Sequence, residues 1–279
     1  VTFGTVGTGG FGLLNSSIAS YSTAVQIIIT VFMIICSINF TVYYMFLIKR
    51  PKEALMCEEM RYYLLIVFGS ALLIAFNIRA SFASFGKAFQ QAIFQVASVI
   101  STTGFATADF NLWPEFSRMI LVLLMFVGAC AGSTGGGFKV SRLIIMVKSV
   151  RNEIMSVTHP RSVQKVHMDG RRIPDNVVKT VLCYLAGYVV ILIVSVLLIS
   201  LDNFDMTTNF TAVMATFNNV GPGLNMVGPT GNFGGFSVLS KLVLMFDMLV
   251  GRLELYPMLV IFAPGLWRIH PHRHVGKVQ

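Results

Sequence analysis

The chain has 279 residues, of which 55% are hydrophobic and only 12% charged, and its mean hydropathy is +0.74. A soluble domain carries about 25% charged residues, so the composition excludes a cytosolic enzyme, a disordered tail and a secreted disulfide scaffold, and predicts an all-α, multi-pass protein of the cell membrane. The net charge of +9, from 21 Lys+Arg against 12 Asp+Glu, sits in blocks between apolar runs, the pattern of positive-inside topology rather than of nucleic-acid binding.

The chain opens Val1-Thr2-Phe3, without methionine or a signal-peptide n-region, and is expected to begin mid-protein. Its first feature is the glycine-rich segment Gly7-Thr8-Gly9-Gly10-Phe11-Gly12. An apolar run over 22–48 follows, long enough for the ~20 residues that a bilayer crossing needs. Lys49, Arg50, Lys52 and Arg61 then form a short basic loop, and a second run covers 62–78. The stretch 87–100 is apolar but too short to span. It fits a re-entrant half-helix and leads into Ser101-Thr102-Thr103-Gly104-Phe105. A third run, 116–147, is interrupted by Gly132-Ser133-Thr134-Gly135-Gly136-Gly137, with Lys139 just after. A polar linker, 149–175, carries Arg151, Arg161, Lys165, Arg171 and Arg172. The fourth run is 177–201. A second short stretch, 209–217, leads into Asn218-Asn219-Val220-Gly221-Pro222-Gly223, and the fifth run covers 238–263, before Pro264. The tail, 265–279, is basic.

The order predicts a repeating unit of helix, half-helix, glycine-bearing loop and helix. Residues 1–48 would hold the end of one unit, whose half-helix would lie before residue 1. Residues 49–148 and 176–264 would hold complete ones. The basic blocks then share one side of the membrane, and Asp109, Glu115, Asp202 and Asp205 lie on the other. The four cysteines, Cys36, Cys57, Cys130 and Cys183, are scattered and suggest neither a metal site nor a disulfide framework.

Non-helical backbone at membrane depth is tolerated only inside protein or beside water. Carbonyls there can replace the hydration shell of a cation, and glycine can turn its carbonyl toward an axis through positive φ. A tight turn is the plainer reading of any one such loop, but three of them, two after short apolar stretches, favour ion coordination. Two literal motifs mislead. Residues 7–12 match a dinucleotide-binding G-x-G-x-x-G without the strand that motif needs, and 132–139 lacks the Lys-Ser/Thr ending of a phosphate loop. No catalytic constellation is apparent, and no enzyme activity is expected. His159 and His167 lie in the linker, and His270, His272 and His274 in the tail, where solvated basic sequence is the simpler reading than metal binding.

Residues 101–107 and 219–224 resemble the third and fourth filter loops of the TrkH/KtrB potassium-uptake family, and 7–11 resembles the second. The resemblance continues through Ser37-Ile38-Asn39-Phe40, through 132–139, and through Gly251-Arg252-Leu253-Glu254 with Pro257. It implies that four such units surround one pore, with family glycines at Gly10, Gly104 and Gly221. The filter would comprise Thr8, Gly9 and Gly10, Thr102, Thr103 and Gly104, and Asn219, Val220 and Gly221, with K⁺ as the transported ion and no other cofactor. The first unit and the start of the second would be missing, so this chain alone is expected not to conduct. The resemblance also implies a homodimer, and a ring of nucleotide-binding (RCK/KTN) regulatory subunits on the cytoplasmic face.

Four glycines within 132–137, each about 1 kcal/mol worse than alanine in a helix, predict a helix break. A small-residue packing face, with Gly128, Gly132 and Gly136 at four-residue spacing, is the local alternative. By resemblance, the segment is an intramembrane gate under the filter, formed by Gly132, Ser133, Thr134, Gly135, Gly136, Gly137 and Lys139 together with Arg252. Arginine at the centre of a lipid-facing helix costs ~3 kcal/mol or more. Arg252 is therefore expected to face the pore and hydrogen-bond the loop's carbonyls, or to pair with Asp247 or Glu254. The alternatives are a Na⁺-permeable protein and an ion-coupled secondary transporter of the same architecture. For the latter, Asp247 and Glu254 are the only acids in apolar runs.

Overall fold

The computed structural model describes residues 1–14, 16–159, 165–253 and 255–261. Helices dominate. In chain order they are α1 (Thr2–Val6), α2 (Thr23–Cys36), α3 (Phe40–Leu47), α4 (Pro51–Met56), α5 (Glu58–Ile78), α6 (Phe85–Ile100), α7 (Glu115–Val127), α8 (Val140–Thr158), α9 (Asp175–Ile199), α10 (Met206–Phe217), α11 (Val238–Leu253) and α12 (Leu255–Ile261). A short antiparallel hairpin, β1 (His167–Met168) and β2 (Arg171–Arg172), lies between α8 and α9. Its turn residues Asp169 and Gly170 both have positive φ, as a two-residue hairpin of the favoured hand requires.

The core forms where small and β-branched residues let helices approach. Ala71, Ile74, Ala75 and Ile78 on α5 and Ala88, Ala92, Val96 and Val99 on α6 are all buried in one cluster, which Leu121, Leu124 and Met125 of α7 extend. The outward faces are apolar too. Leu65, Leu72, Leu73 and Phe76 on α5, and Val190, Ile193, Val194 and Leu197 on α9, are exposed. A fold whose inner and outer surfaces are both apolar belongs in lipid, which supplies no water to hydrogen-bond an open backbone group.

Among the described residues, two helical segments are long and apolar enough to cross a membrane unaided, Glu58–Ser81 and Asp175–Asp202. The run over 22–48 is not continuous. It breaks into α2 and α3, which meet at 88°. Ser37 Oγ donates back to Met33 O at 2.8 Å, a contact that weakens a helix end. Asn39 then caps α3, its Oδ1 accepting from Thr41 N at 2.9 Å.

The third run also breaks, and earlier than the glycines at 132–137 suggest. Helix α7 stops at Val127, Gly128 turns the chain at φ 68°, and helix resumes only at Val140. The residues 128, 132 and 136 therefore form no helical packing face. Helix α8 then continues to Thr158, into the stretch read as linker. The segment before Gly7 is helical over Thr2–Val6, so part of the half-helix expected before residue 1 lies within the chain. Pro264, the tail histidines and the rest of the basic tail fall outside the described residues.

Candidate functional site

Three short helices, α1, α6 and α10, each end in the same way. The second residue past the helix is left-handed without being glycine: Thr8 at φ 51°, Thr102 at 58° and Asn219 at 56°. Two residues later comes a left-handed glycine: Gly10 at φ 67°, Gly104 at 82° and Gly221 at 104°. Between them stand Gly9, Thr103 and Val220, whose φ is negative. In each loop one helical carbonyl caps two successive amides. Gly4 O accepts from Gly9 N and Gly10 N at 2.8 and 3.3 Å, Ser98 O from Thr103 N and Gly104 N at 2.9 and 3.3 Å, and Ala215 O from Val220 N and Gly221 N at 2.8 and 3.4 Å. With the amides turned back to the helix, the alternating backbone leaves the loop carbonyls free to face away.

The loops lie side by side. A Cβ built on Gly10 would sit 1.9 Å from Thr103 O, and one on Gly104 would sit 2.2 Å from Val220 O. The first loop thus abuts the second, and the second abuts the third. Beside Gly221 there is open space. A cavity of about 870 Å³ opens there, lined by Gly7, Thr8 and Gly9 on one flank and by Asn219, Val220 and Gly221 on another. Lys241 and Arg252 are the ionisable residues lining it.

Beneath the loops runs the glycine segment 128–139. Thr8 Oγ1 donates to Thr134 O at 2.9 Å, and Thr102 Oγ1 accepts from Gly136 N at 2.7 Å. The equivalent Asn219 turns instead to α11, its Nδ2 donating to Met248 O at 3.2 Å. The glycines are required by contact. A Cβ on Gly135 would lie 2.4 Å from Ala129 Cβ, and one on Gly136 would lie 2.7 Å from Asn218 O. Three cations hold the segment's carbonyls: Lys139 Nζ donates to Gly135 O, Arg252 donates to Thr134 O at 3.2 Å, and Arg142 donates to Phe138 O at 3.4 Å. A second cavity, about 210 Å³, lies between this segment and Gly251, and Arg252 lines both cavities. Asp247 does not pair with Arg252. It is fully buried and accepts from Ser195 Oγ at 2.8 Å. Glu254 lies outside the described residues.

All the residues expected at the filter and gate therefore converge on one region. Sequence reasoning missed several residues that hold it there. The breaks at 37–39 and 128–139 satisfy one another: Cys130 N donates to Ser37 O, Phe40 N to Gly132 O, and Thr134 N to Cys36 O. Tyr188 and Asn218 form a buried pair, with Asn218 Nδ2 donating to Tyr188 Oη at 2.8 Å and Tyr188 Oη donating to Asn218 Oδ1 at 3.1 Å. They lock the end of α10 to α9. A stacked pair, Phe126 and Phe138 with centroids 5.0 Å apart, joins this region to the glycine segment. The signal for the aromatic lock was only a Tyr184–Tyr188 spacing of one helical turn, which a lipid-facing helix shows equally well.

On the acidic side, Asp205 caps α10. Its carboxylate accepts from Thr208 Oγ1 at 2.5 Å, Thr208 N at 2.9 Å and Asn225 Nδ2 at 2.8 Å. The Thr208 hydroxyl, with these other donors, holds the Asp205 carboxyl below the usual carboxylate range.

The family model for TrkH, described as a cation transport protein, matches residues 1–269. The Trk system potassium uptake protein TrkH of Escherichia coli K12 is 33% identical over 274 residues, covering 96% of this chain and 56% of that protein. The Vibrio parahaemolyticus protein of the same name is 34% identical over the same shares. The crystal structure of the potassium transporter TrkH from Vibrio parahaemolyticus superposes with a TM-score of 0.87 at 33% identity, over 96% of this chain and 58% of that one. The chain thus spans a little over half the length of the curated relatives it matches.

Proposed function

The chain belongs to the TrkH family of cation transport proteins, and from that premise we propose that it contributes three carbonyl-bearing loops to a K⁺ uptake path across the cell membrane. The observation that carries this reading is the threefold recurrence of one backbone form at Thr8 to Gly10, Thr102 to Gly104 and Asn219 to Gly221, in loops packed edge to edge. Each loop's amides are spent on its helix, so its oxygens are the groups left to replace water around a dehydrated cation. In the family's pattern these loops sit in repeated units around one axis, and the relatives named above carry potassium in their names.

Segment 128–139 is the gate. It lies against the undersides of the loops, and its hold depends on Thr8, Thr102, Lys139 and Arg252. In the shut state the Arg252 guanidinium both anchors Thr134 O and places a positive charge where an ion must pass. The loop's mobility then sets flux, and the loops above it set selectivity.

The ion-coupled alternative needs an ionisable acid in the path. Asp247 lines neither cavity and is engaged by Ser195, which favours a channel-like route. Glycine at the third position of every visible loop favours K⁺ over Na⁺. The basic linker offers a cytoplasmic surface for a nucleotide-binding regulatory ring, and a homodimer is the expected assembly.

The test is tracer flux through the complete protein in liposomes. Rubidium should enter, sodium should not, and Gly104→Ser should lower both the rubidium flux and the rubidium-over-sodium preference. Flux that requires a proton gradient and is indifferent to Gly104→Ser would contradict the reading.

A further inference from the structure

Glu59 is a carboxylate with 3% of its surface exposed, in the first turn of α5. It is not part of either cavity, and the sequence gives it the look of an ordinary helix-start acid. Its contacts say otherwise. Glu59 Oε1 accepts from Ala131 N at 2.6 Å and from Ser141 N at 3.1 Å, and Oε2 accepts from Asn39 Nδ2 at 3.4 Å. Ala131 lies near the start of the glycine segment and Ser141 just beyond its end, so one oxygen gathers both ends of the loop. Ser141 is also the second residue of α8, a 19-residue helix whose own N-cap residue, Lys139, supplies no side-chain cap. A carboxylate there satisfies an orphan amide and meets the positive end of the helix dipole.

Asn39 completes the arrangement. Its Oδ1 already caps α3, so its amide nitrogen is the group turned to Glu59, and Phe40 N holds Gly132 O at 3.1 Å. The carboxylate thus joins the break at 37–39, the glycine segment and the start of α8. Its donors are neutral N–H groups, and bonds of this charge-assisted kind are about twice as strong as neutral ones.

We propose that Glu59 is the latch of the intramembrane loop: a positioning residue that pins both feet of segment 128–139 and so holds the gate shut. The proposal rests on the gate reading above and adds the group that sets the gate's closed population. Glu59→Gln keeps the shape and one carbonyl acceptor. It removes the charge and sets an amide N–H₂ against either Asn39 Nδ2 or the two backbone amides. Weakening the latch by one such bond raises the open population at least about tenfold.

Rubidium flux through the complete protein in liposomes should therefore rise at least about tenfold in Glu59→Gln, with the rubidium-to-sodium ratio unchanged. A merely structural loss would lower flux or blur the ratio. In parallel, hydrogen exchange at the Ala131 and Ser141 amides should quicken by the same factor. Flux at or below the wild-type level in folded Glu59→Gln, while Arg252→Ala still raises it, would overturn the latch and leave the uptake reading standing. If the wild-type protein carries no rubidium, the uptake reading falls. The exchange rates then decide the latch alone, unchanged exchange overturning it and faster exchange supporting it.

Discussion

A single methyl group is the sharpest probe of the three loops. At Gly104 a Cβ would meet Val220 O at 2.2 Å, and the residue's φ of 82° disfavours any side chain. Gly104→Ala should therefore separate the second loop from the third. We expect rubidium flux to fall at least about tenfold, the effect of some 1.4 kcal/mol, with little change in the melting temperature of the detergent-solubilised protein. At Gly221 the φ of 104° likewise disfavours a side chain. Arg252 works in the opposite sense. Arg252→Ala removes the bond to Thr134 O and a positive charge from both cavities, so flux should rise, and unchanged flux would count against its role. Asp205 gives a pH dependence. Its folded carboxyl titrates below its unfolded value because of Thr208 and Asn225. That stabilisation is complete above the unfolded value, about pH 4, and is lost as pH falls through the depressed folded value. Hydrogen exchange in the first turn of α10 should accelerate on acidification below about pH 4, and Asp205→Asn should abolish that dependence.

Among the elements, those whose apolar residues are unbroken were legible: α5, α9 and the short helices α6 and α10 stand where hydropathy places them. The glycine break was legible in kind, because four glycines in six residues resist helix, but its true start at Gly128 was hidden by the apolar residues on either side. The 88° bend between α2 and α3 was not legible, since Ser37 and Asn39 are ordinary in an apolar run. Their break is stabilised by backbone groups of residues 130–134, almost a hundred positions away. Pairings across that distance leave no local trace, which is also why Glu59 and Tyr188 passed unnoticed. The three loops were readable because their signal is local, a glycine-bearing segment that in two cases follows a short apolar stretch, and the resemblance to a family named the residues within them. Tyr188→Phe tests one of the non-local supports. Removing the Tyr188 hydroxyl leaves the buried Asn218 Oδ1 without its donor, while Nδ2 keeps Met214 O at 2.9 Å, which should cost about 1–3 kcal/mol. It should lower the melting temperature and reduce rubidium-over-sodium preference, as the third loop loses its anchor to α9.

At the scale of the molecule, the fold places backbone oxygens where a lipid-embedded protein has few other polar groups. Its outward faces are apolar, and the loops that end α1, α6 and α10 lie edge to edge above a pinned glycine segment, the first and third of them lining one cavity. The hairpin at His167–Met168 and Arg171–Arg172 joins this interior to the basic side: Asp169 accepts from Glu58 N at 2.7 Å, and Lys148 joins Glu58 to His167 O. Glu58 adjoins Glu59, so the surface hairpin and the intramembrane loop share one helical turn. All of this has a purpose only if the three loops coordinate a cation. Anomalous diffraction from crystals of the complete protein soaked in rubidium or thallium measures that directly. The account predicts a peak within coordinating distance of carbonyl oxygens from the loops ending at Gly10, Gly104 and Gly221. Absence of a peak there, with one beside Asp247 instead, would contradict it.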